Sequence, residues 1–224
     1  GSVIRNVNFV DVDVTLHSKS CGVIAGIVAG QCEISNCSIG GQISYTLDDA
    51  RYLGGVVGEV YNVPGIIFKD ITVDLKYDVP STVESMGGVV GYFNLPSSIE
   101  LSNIVNRSKD TLIIKSSKDG VGGLFGCIHF PSELRIHDCS NYMSIESESP
   151  MVGGIVGRYK KHKTFYIVTE LYNCTNAGNL YSDYGNVGGI VGISEHVKIT
   201  NCVNIGDISS YEPSVGEFGN TAGI

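Results

Sequence analysis

The side chains that could carry out catalysis in this chain are a few carboxylates. Glycoside hydrolases use two acidic residues a few ångströms apart on one face, and polysaccharide lyases use clustered acidic residues with a base. The candidates are Asp48 and Asp49 beside Arg51, and Asp70 followed by Asp74. Neighbouring residues on a strand point to opposite faces, so we expect Asp48 and Asp49 to form a solvated turn. We assign no catalytic residue.

The histidines and cysteines form no motif for a metal or redox site. No two of the seven cysteines have CxxC spacing, and the His-Glu-x-x-His zinc motif is absent. We therefore expect no metal ion and no cofactor, and thiols that pack as small apolar side chains. Five histidines are expected at the surface: His17, His129, His137, His162 and His196.

A short basic segment is the candidate for ligand binding. It lies in an insertion that lengthens one copy of the repeat described below, and departures from a repeat are where solenoids often place binding surfaces. In a chain with a formal net charge of −8, it could contact an anionic glycan or a protein, or be a solvated loop. Tyrosine adds flat apolar area with a polar tip. The candidate binding residues are Arg158, Tyr159, Lys160, Lys161, Lys163 and Tyr166.

These residues belong to a chain that repeats itself about every 33 residues. A period in this range indicates a solenoid, a propeller or an array. The repeated string is Gly-Gly-apolar-apolar-Gly, with softened copies beginning at Ala25 and Ala222. Its five full copies are Gly54 to Gly58, Gly87 to Gly91, Gly122 to Gly126, Gly153 to Gly157 and Gly188 to Gly192.

A second column of residues runs in phase with the glycines and has Asn or Asp in every copy. Asn tolerates left-handed backbone angles, which predicts a corner where amides stack from turn to turn. Cysteine often follows, at a position that fits a tight interior slot. The corner residues are Asn6, Asn36, Asp70, Asn103, Asp138, Asn173 and Asn201, and the cysteines are Cys37, Cys139, Cys174 and Cys202. We expect Asp70 and Asp138 to be buried at this corner.

The repeat predicts an all-β fold. Each unit offers three short strands between turn residues, too few to bury their own apolar side chains, so the units must stack on one another. Composition agrees, with 29 glycines and 17% charged residues. We predict one parallel β-helix domain over residues 1–224, right-handed, with about seven coils, and expect it to be a fragment of a longer chain.

The Gly-Gly strand allows two arrangements, because alternation makes both of its faces apolar. In one, an apolar column lies outside as a contact stripe. In the other, the glycines bend the strand and both columns turn inward. The column in question is Ile27, Val56, Val89, Leu124, Ile155 and Ile190.

Charge and hydropathy exclude two classes of partner. The net charge of −8 would repel a nucleic-acid backbone. No apolar run approaches the length of about 18 residues that a membrane-spanning helix requires. We expect neither nucleic-acid binding nor a membrane span in this segment.

The strings from Leu53 to Gly58 and from Val187 to Gly192 resemble the short GLUG repeat of bacterial surface proteins. Similar repeats accompany adhesins and immunoglobulin A metallopeptidases. The resemblance covers nearly the whole chain and implies an extracellular or cell-surface display module. Peptidase activity is not carried over, because the zinc motif is absent.

We therefore expect a non-catalytic repeat module of an adhesin-like bacterial surface protein. It would act as a spacer and as a binding or display surface for a glycan or a protein, beside neighbouring domains of the same chain. One alternative is a carbohydrate-active β-helix of the lyase or glycoside hydrolase type, an analogy that rests on fold alone. The other is an assembly module that stacks end to end, because uncapped strands invite pairing.

Overall fold

The computed structural model describes residues 1–47, 49–61, 64–80, 82–94, 96–161, 169–211 and 221–222. Within these residues the chain contains strands and no helix, and therefore no helix long and apolar enough to cross a membrane. The strands are β1 (Ser2–Arg5), β2 (Asn8–Leu16), β3 (Ser20–Cys21), β4 (Ala25–Val28), β5 (Cys32–Tyr45), β6 (Tyr52–Gly54), β7 (Val57–Tyr61), β8 (Ile66–Asp78), β9 (Thr82–Gly87), β10 (Val90–Asn94), β11 (Ser98–Asn106), β12 (Leu112–Ile114), β13 (Ser116–Gly122), β14 (Phe125–His129), β15 (Glu133–His137), β16 (Ser140–Asn141), β17 (Ile145–Ser147), β18 (Met151–Gly153), β19 (Val156–Lys160), β20 (Thr169–Tyr172), β21 (Thr175–Asn176), β22 (Leu180–Ser182), β23 (Asn186–Gly188), β24 (Val191–Ser194), β25 (Lys198–Thr200), β26 (Val203–Asn204), β27 (Ile208–Ser210) and β28 (Thr221–Ala222).

The strands stack into four parallel sheets. Sheet 1 has 11 strands, with the main path β1-β5-β8-β11-β15-β20-β25. Sheet 2 has seven (β3-β6-β9-β13-β18-β23-β28), sheet 3 has six (β4-β7-β10-β14-β19-β24) and sheet 4 has four (β12-β17-β22-β27). Equivalent residues pair turn by turn, as Ile34 does with Phe68 and Phe68 with Leu101.

This topology confirms a parallel β-solenoid with a repeat of about 33 residues. It has about five turns, where seven coils were expected. The difference is small. Sheet 4 contains only four strands, so fewer turns carry all four sheets than the sequence has copies of the repeat.

The predicted Asn/Asp column forms a corner of the solenoid. All seven members have a left-handed backbone, with φ between 50° and 59°. The Nδ2 atoms of Asn36, Asn103 and Asn173 each donate to the side-chain oxygen one turn earlier, at 2.7–3.1 Å. The expectation that Asp70 and Asp138 are buried is wrong, because the left-handed corner directs this side chain outward.

The cysteine column lies just inside this corner. Cys37, Cys139 and Cys174 are buried, Cys202 in the last full turn is partly exposed, and all are free thiols. The Sγ of Cys139 donates to the carbonyl of His137 at 3.1 Å. Hydrogen bonding with Cys139 and burial raise the pKa of the Cys174 thiol to about 12. The column therefore packs as free thiols, as predicted.

The Gly-Gly strand bends, and both of its apolar columns face the interior. Val56, Val89, Leu124, Ile155 and Ile190 are all buried, so the arrangement with an exposed stripe is wrong for them.

The first copy of the glycine repeat also has a different register from the one expected. Ala25 pairs with Val57, which makes Gly22 to Gly26 the first copy of the motif. Ile27 pairs with Glu59 instead, and it is 56% exposed.

A second asparagine column, inside the solenoid, was not predicted. Its members stand three positions after the corner residues of the last four turns, where earlier turns place Ile39 and Val73. The Nδ2 of Asn141 donates to Asn176 at 2.8 Å, and that of Asn176 donates to Asn204 at 2.7 Å. The interior amide column is Asn106, Asn141, Asn176 and Asn204.

The interior amides explain the second glycine of each repeat. The Asn106 side chain donates to the carbonyl of Gly123 at 2.8 Å, a role that the Tyr77 hydroxyl fills for Gly88 at 2.7 Å. A Cβ on Gly154 would meet the Gly189 carbonyl oxygen and the Asn176 side chain. Only glycine leaves room for the amide column at this bend.

We expect Gly154→Ala to lower the free energy of unfolding by at least about 2 kcal/mol, because the new methyl group overlaps backbone and a buried amide. Gly30→Ala is the matched control, since a Cβ there has no atom within 4 Å. That change should stay within about 0.5 kcal/mol. Urea unfolding followed by circular dichroism measures both, and equal midpoints would contradict the packing described here.

At the corner we expect Asn103→Ala to cost about 1 kcal/mol more than Asn103→Gly. Both variants lose the hydrogen bond to Asp70, but alanine resists the φ of 50° whereas glycine does not. The same unfolding measurement applies. A glycine variant that is less stable than the alanine variant would show that backbone strain does not govern this position.

Candidate functional site

The outer faces of sheets 2 and 3 meet in an inward angle beside the Gly-Gly bend. A Cβ on Gly126 of sheet 3 would lie 2.5 Å from the Ser85 Oγ and 2.6 Å from the Met86 carbonyl oxygen of sheet 2. This close approach excludes solvent from side chains that point away from the main core. This angle is the candidate site.

Aromatic rings fill the angle. Tyr52 of sheet 2 stacks on Tyr92 of sheet 3, with ring centroids 4.2 Å apart and an interplanar angle of 13°. With Cys127 they form an apolar cluster separate from the main core. The Tyr92 hydroxyl lies 2.6 Å from the Nδ1 of His129, and the two rings are edge to face. The rings hold the His129 imidazole in one orientation.

Three potential metal ligands meet at this position. Cys127 and His129 are two residues apart on β14, so both point to the outer face. Asp119 comes from β13, where the pairing register shifts between Ser117 and Gly120. This irregularity brings Asp119 over sheet 3. One ligand atom from each of the three residues lies within 4.8 Å of the others.

Burial sets the protonation of the cluster. Burial, with Arg158 and Lys160 adding to it, lowers the pKa of His129 to about 4, so the imidazole is neutral at neutral pH. Burial raises the pKa of the Cys127 thiol well above its ordinary value. The pKa of Asp119 is also raised by burial, although Arg158 opposes the shift. Burial therefore disfavours the charged form of each group, while Arg158 favours the Asp119 carboxylate.

The structure divides the predicted basic segment. Arg158 lies in the candidate site, where its Nη1 donates to the Oδ1 of Asp119 at 3.1 Å. Lys160 lies over the ring of Phe130, with Nζ 5.5 Å from the ring centroid. Lys161 is partly buried. Of the predicted set, Arg158 and Lys160 therefore already have partners within the chain.

Of the two tyrosines predicted to bind a ligand, the structure describes one. Tyr159 is only 2% exposed and its hydroxyl lies 2.6 Å from the Thr169 Oγ1, so its ring belongs to the core and not to a binding face. The reason is strand alternation, which turns Arg158 outward and Tyr159 inward. Lys163 and Tyr166 lie outside the described residues.

The expectation of surface histidines is wrong for His129, which is 9% exposed. His17 and His196 are exposed, and His162 lies outside the described residues. The spacing Cys127-x-His129 on a strand was the signal for a shared face. The approach of Asp119 and Tyr92 could not be inferred, because they come from other strands.

The carboxylates considered for catalysis serve other contacts. Asp49 pairs with Lys19 at 3.1 Å on the surface, with 65% of its side chain exposed. Asp70 accepts the corner hydrogen bond from Asn103. Asp48 lies outside the described residues.

Comparison of the chain with family models, with curated proteins and with solved structures gave no match.

His129 and His137 should give stability profiles of opposite sign. The lowered pKa of His129 means that its contribution is complete above pH 6.5 and is lost as the pH falls towards about 4, by about 3 kcal/mol in all. Burial lowers the pKa of His137, but hydrogen bonds to Asp138 and Glu100 outweigh it and raise the pKa overall. Its contribution is therefore complete below pH 6.5 and lost as the pH rises through the raised value.

Urea unfolding at several pH values, on the wild type, His129→Gln and His137→Gln, measures this difference. The deficit of His129→Gln should shrink as the pH falls from 7 to 5, and that of His137→Gln should shrink as the pH rises above 7. Parallel profiles for the two variants would show that burial does not hold His129 neutral.

Proposed function

We propose that this chain is a non-catalytic extracellular repeat module of an adhesin-like bacterial surface protein. It spaces its neighbours and displays a binding face to a glycan or a protein. The observation that carries the proposal is the turn-by-turn pairing of equivalent strands, which makes the described part of the chain one continuous stack.

A stack of this kind suits a spacer. Each turn contacts only the next, and every contact is repeated along the axis. Backbone hydrogen bonds, the corner amides and the interior amides all join one turn to the next. Bending the rod would break several of these bonds at once, so the module holds its two ends at a fixed separation.

The charged residues on the outside support a structural role. Ion pairs join neighbouring turns, as between Arg51 and Glu84 at 2.8 Å. Lys198 and Glu170 form a second such pair at 2.9 Å. Exposed pairs of this type contribute little each, about 0–1 kcal/mol, and they leave those carboxylates engaged with cations.

Sheet 4 offers a surface suited to a glycan. Ser144, Asn179 and Asp207 form a polar column along a shallow groove, and Glu146 and Tyr181 also line this groove. Amides, carboxylates and a tyrosine ring are the groups that bind sugar hydroxyls and the apolar faces of sugar rings. Lys160 and Lys161 form the second candidate face, for an anionic glycan or protein.

Glycan-array binding by the purified chain tests the proposal. If the groove binds, Asn179→Ala with Tyr181→Ala should reduce binding at least tenfold. If the basic face binds, Lys160→Ala with Lys161→Ala should do so, with stronger dependence on salt. Lys69→Ala with Lys198→Ala is the control, because it removes the same charge elsewhere.

Incubation with uronate polysaccharides completes the test. Ultraviolet absorbance of unsaturated products would overturn the non-catalytic assignment and favour a lyase. Binding that none of the paired substitutions changes would remove both candidate faces.

End-to-end assembly is the second candidate, and the last turns favour it. Ile199, Cys202 and Ile208 are partly exposed, whereas the residues one turn earlier, Leu171, Cys174 and Leu180, are buried. A further stacked turn, from another copy or another domain, would cover them. Light scattering that shows a mass increasing with concentration would support assembly, and a constant monomer mass would exclude it.

A further inference from the structure

We propose that Asp119, Cys127 and His129 form a binding site for one transition-metal ion of the zinc class. The site is separate from the groove and the basic face above and does not depend on the display role. It contradicts the expectation from sequence that the chain binds no metal.

The first support is geometric. A thiol, an imidazole nitrogen and a carboxylate oxygen all lie within 4.8 Å of one another. Around a tetrahedral zinc ion, ligand atoms lie about 3.3–3.8 Å apart. The Asp119 side chain, which is the partly exposed member of the three, can move towards the other two. Cys127 and His129 are already fixed by the pairing of β14 with β10 and β19.

The second support is a buried atom without a partner. The Nε2 of His129 is enclosed and makes no hydrogen bond with any residue that the structure describes, which is costly for a polar atom. Its other nitrogen lies 2.6 Å from the Tyr92 hydroxyl. With Nδ1–H donating to the Tyr92 oxygen, the Nε2 lone pair is free for an ion. Metal-bound histidines usually use the second nitrogen in this way.

Charge balance supports a divalent ion over a monovalent one. Binding replaces the Cys127 proton, which leaves to solvent, and forms a metal–thiolate bond. The thiolate and the Asp119 carboxylate then neutralise the two charges of the ion, while His129 stays uncharged. Arg158 can remain on the Oδ1 of Asp119 and leave Oδ2 for the metal.

The chemistry of the ligands selects the ion. One sulfur, one nitrogen and one oxygen suit borderline metals such as Zn²⁺ and Co²⁺ and disfavour Mg²⁺ and Ca²⁺, which take oxygen ligands. Three protein ligands leave the fourth position to water. The one partly exposed ligand, Asp119, with 25% of its side chain accessible, gives the route of entry.

Titration of the reduced, chelator-treated full chain with Co²⁺ tests the site. We expect one equivalent to bind and to produce the charge-transfer absorption of a Co²⁺–thiolate bond, which Zn²⁺ then removes by displacement. Cys127→Ser should abolish this absorption. Asp119→Asn and His129→Gln should weaken binding at least tenfold, and Tyr92→Phe should weaken it about 10–100-fold.

Cys174→Ser is the matched control, because it removes a buried thiol outside the cluster and should leave the absorption unchanged. Far-ultraviolet circular dichroism verifies the fold of each variant, and Asp119→Asn, at the one partly exposed ligand, keeps the test usable if Cys127→Ser fails to fold. No thiolate absorption from folded wild type would overturn the proposal. Loss of the absorption in Cys174→Ser but not in Cys127→Ser would also overturn it, by placing the ion on the cysteine column.

Discussion

Backbone hydrogen bonds between successive turns place each strand residue over its equivalent in the turn before, apart from two register shifts among the described strands. A side chain in a strand must therefore pack against the side chain at the equivalent position of the next turn, about 4.8 Å away. Small thiols, left-handed asparagines and glycines are tolerated because their neighbours above and below are alike. The same constraint creates the weak points of the fold. One misfit, such as a side chain at Gly154, meets both the backbone and the buried amide of the next turn.

The sequence predicted those parts of the fold in which the same residue type recurs in every copy of the repeat. The corner column is visible because only Asn and Asp occur in it, and the structure confirms its left-handed backbone. The interior asparagine column was not predicted, because only the last four turns contain it. Ile39 and Val73 occupy the equivalent positions earlier, so no column of one residue type spans the chain. The register of the first glycine copy was wrong for a related reason, since Gly22-Val23 is a poor match to Gly-Gly.

The candidate site could be predicted only in part. Cys127 and His129 share a strand, and their spacing places them on one face. Their burial depends on a second sheet closing over them, and that closure comes from glycines such as Gly126, whose missing side chains let two backbones approach. A glycine in the sequence indicates that two backbones can approach closely, but it does not predict which side chains pack there. Departures from the repeat, such as the register shift near Asp119, are where a repetitive scaffold acquires individual chemistry.

The two asparagine columns have opposite polarity along the axis. At the corner, each donated N–H points back towards the first turn, from Asn103 to Asp70. In the interior it points onward, from Asn141 to Asn176. The two rows of amide dipoles therefore point in opposite directions, and their fields along the rod partly cancel. They also make the ends of the rod unlike, so a turn added in reversed orientation would set donor against donor in one column and acceptor against acceptor in the other.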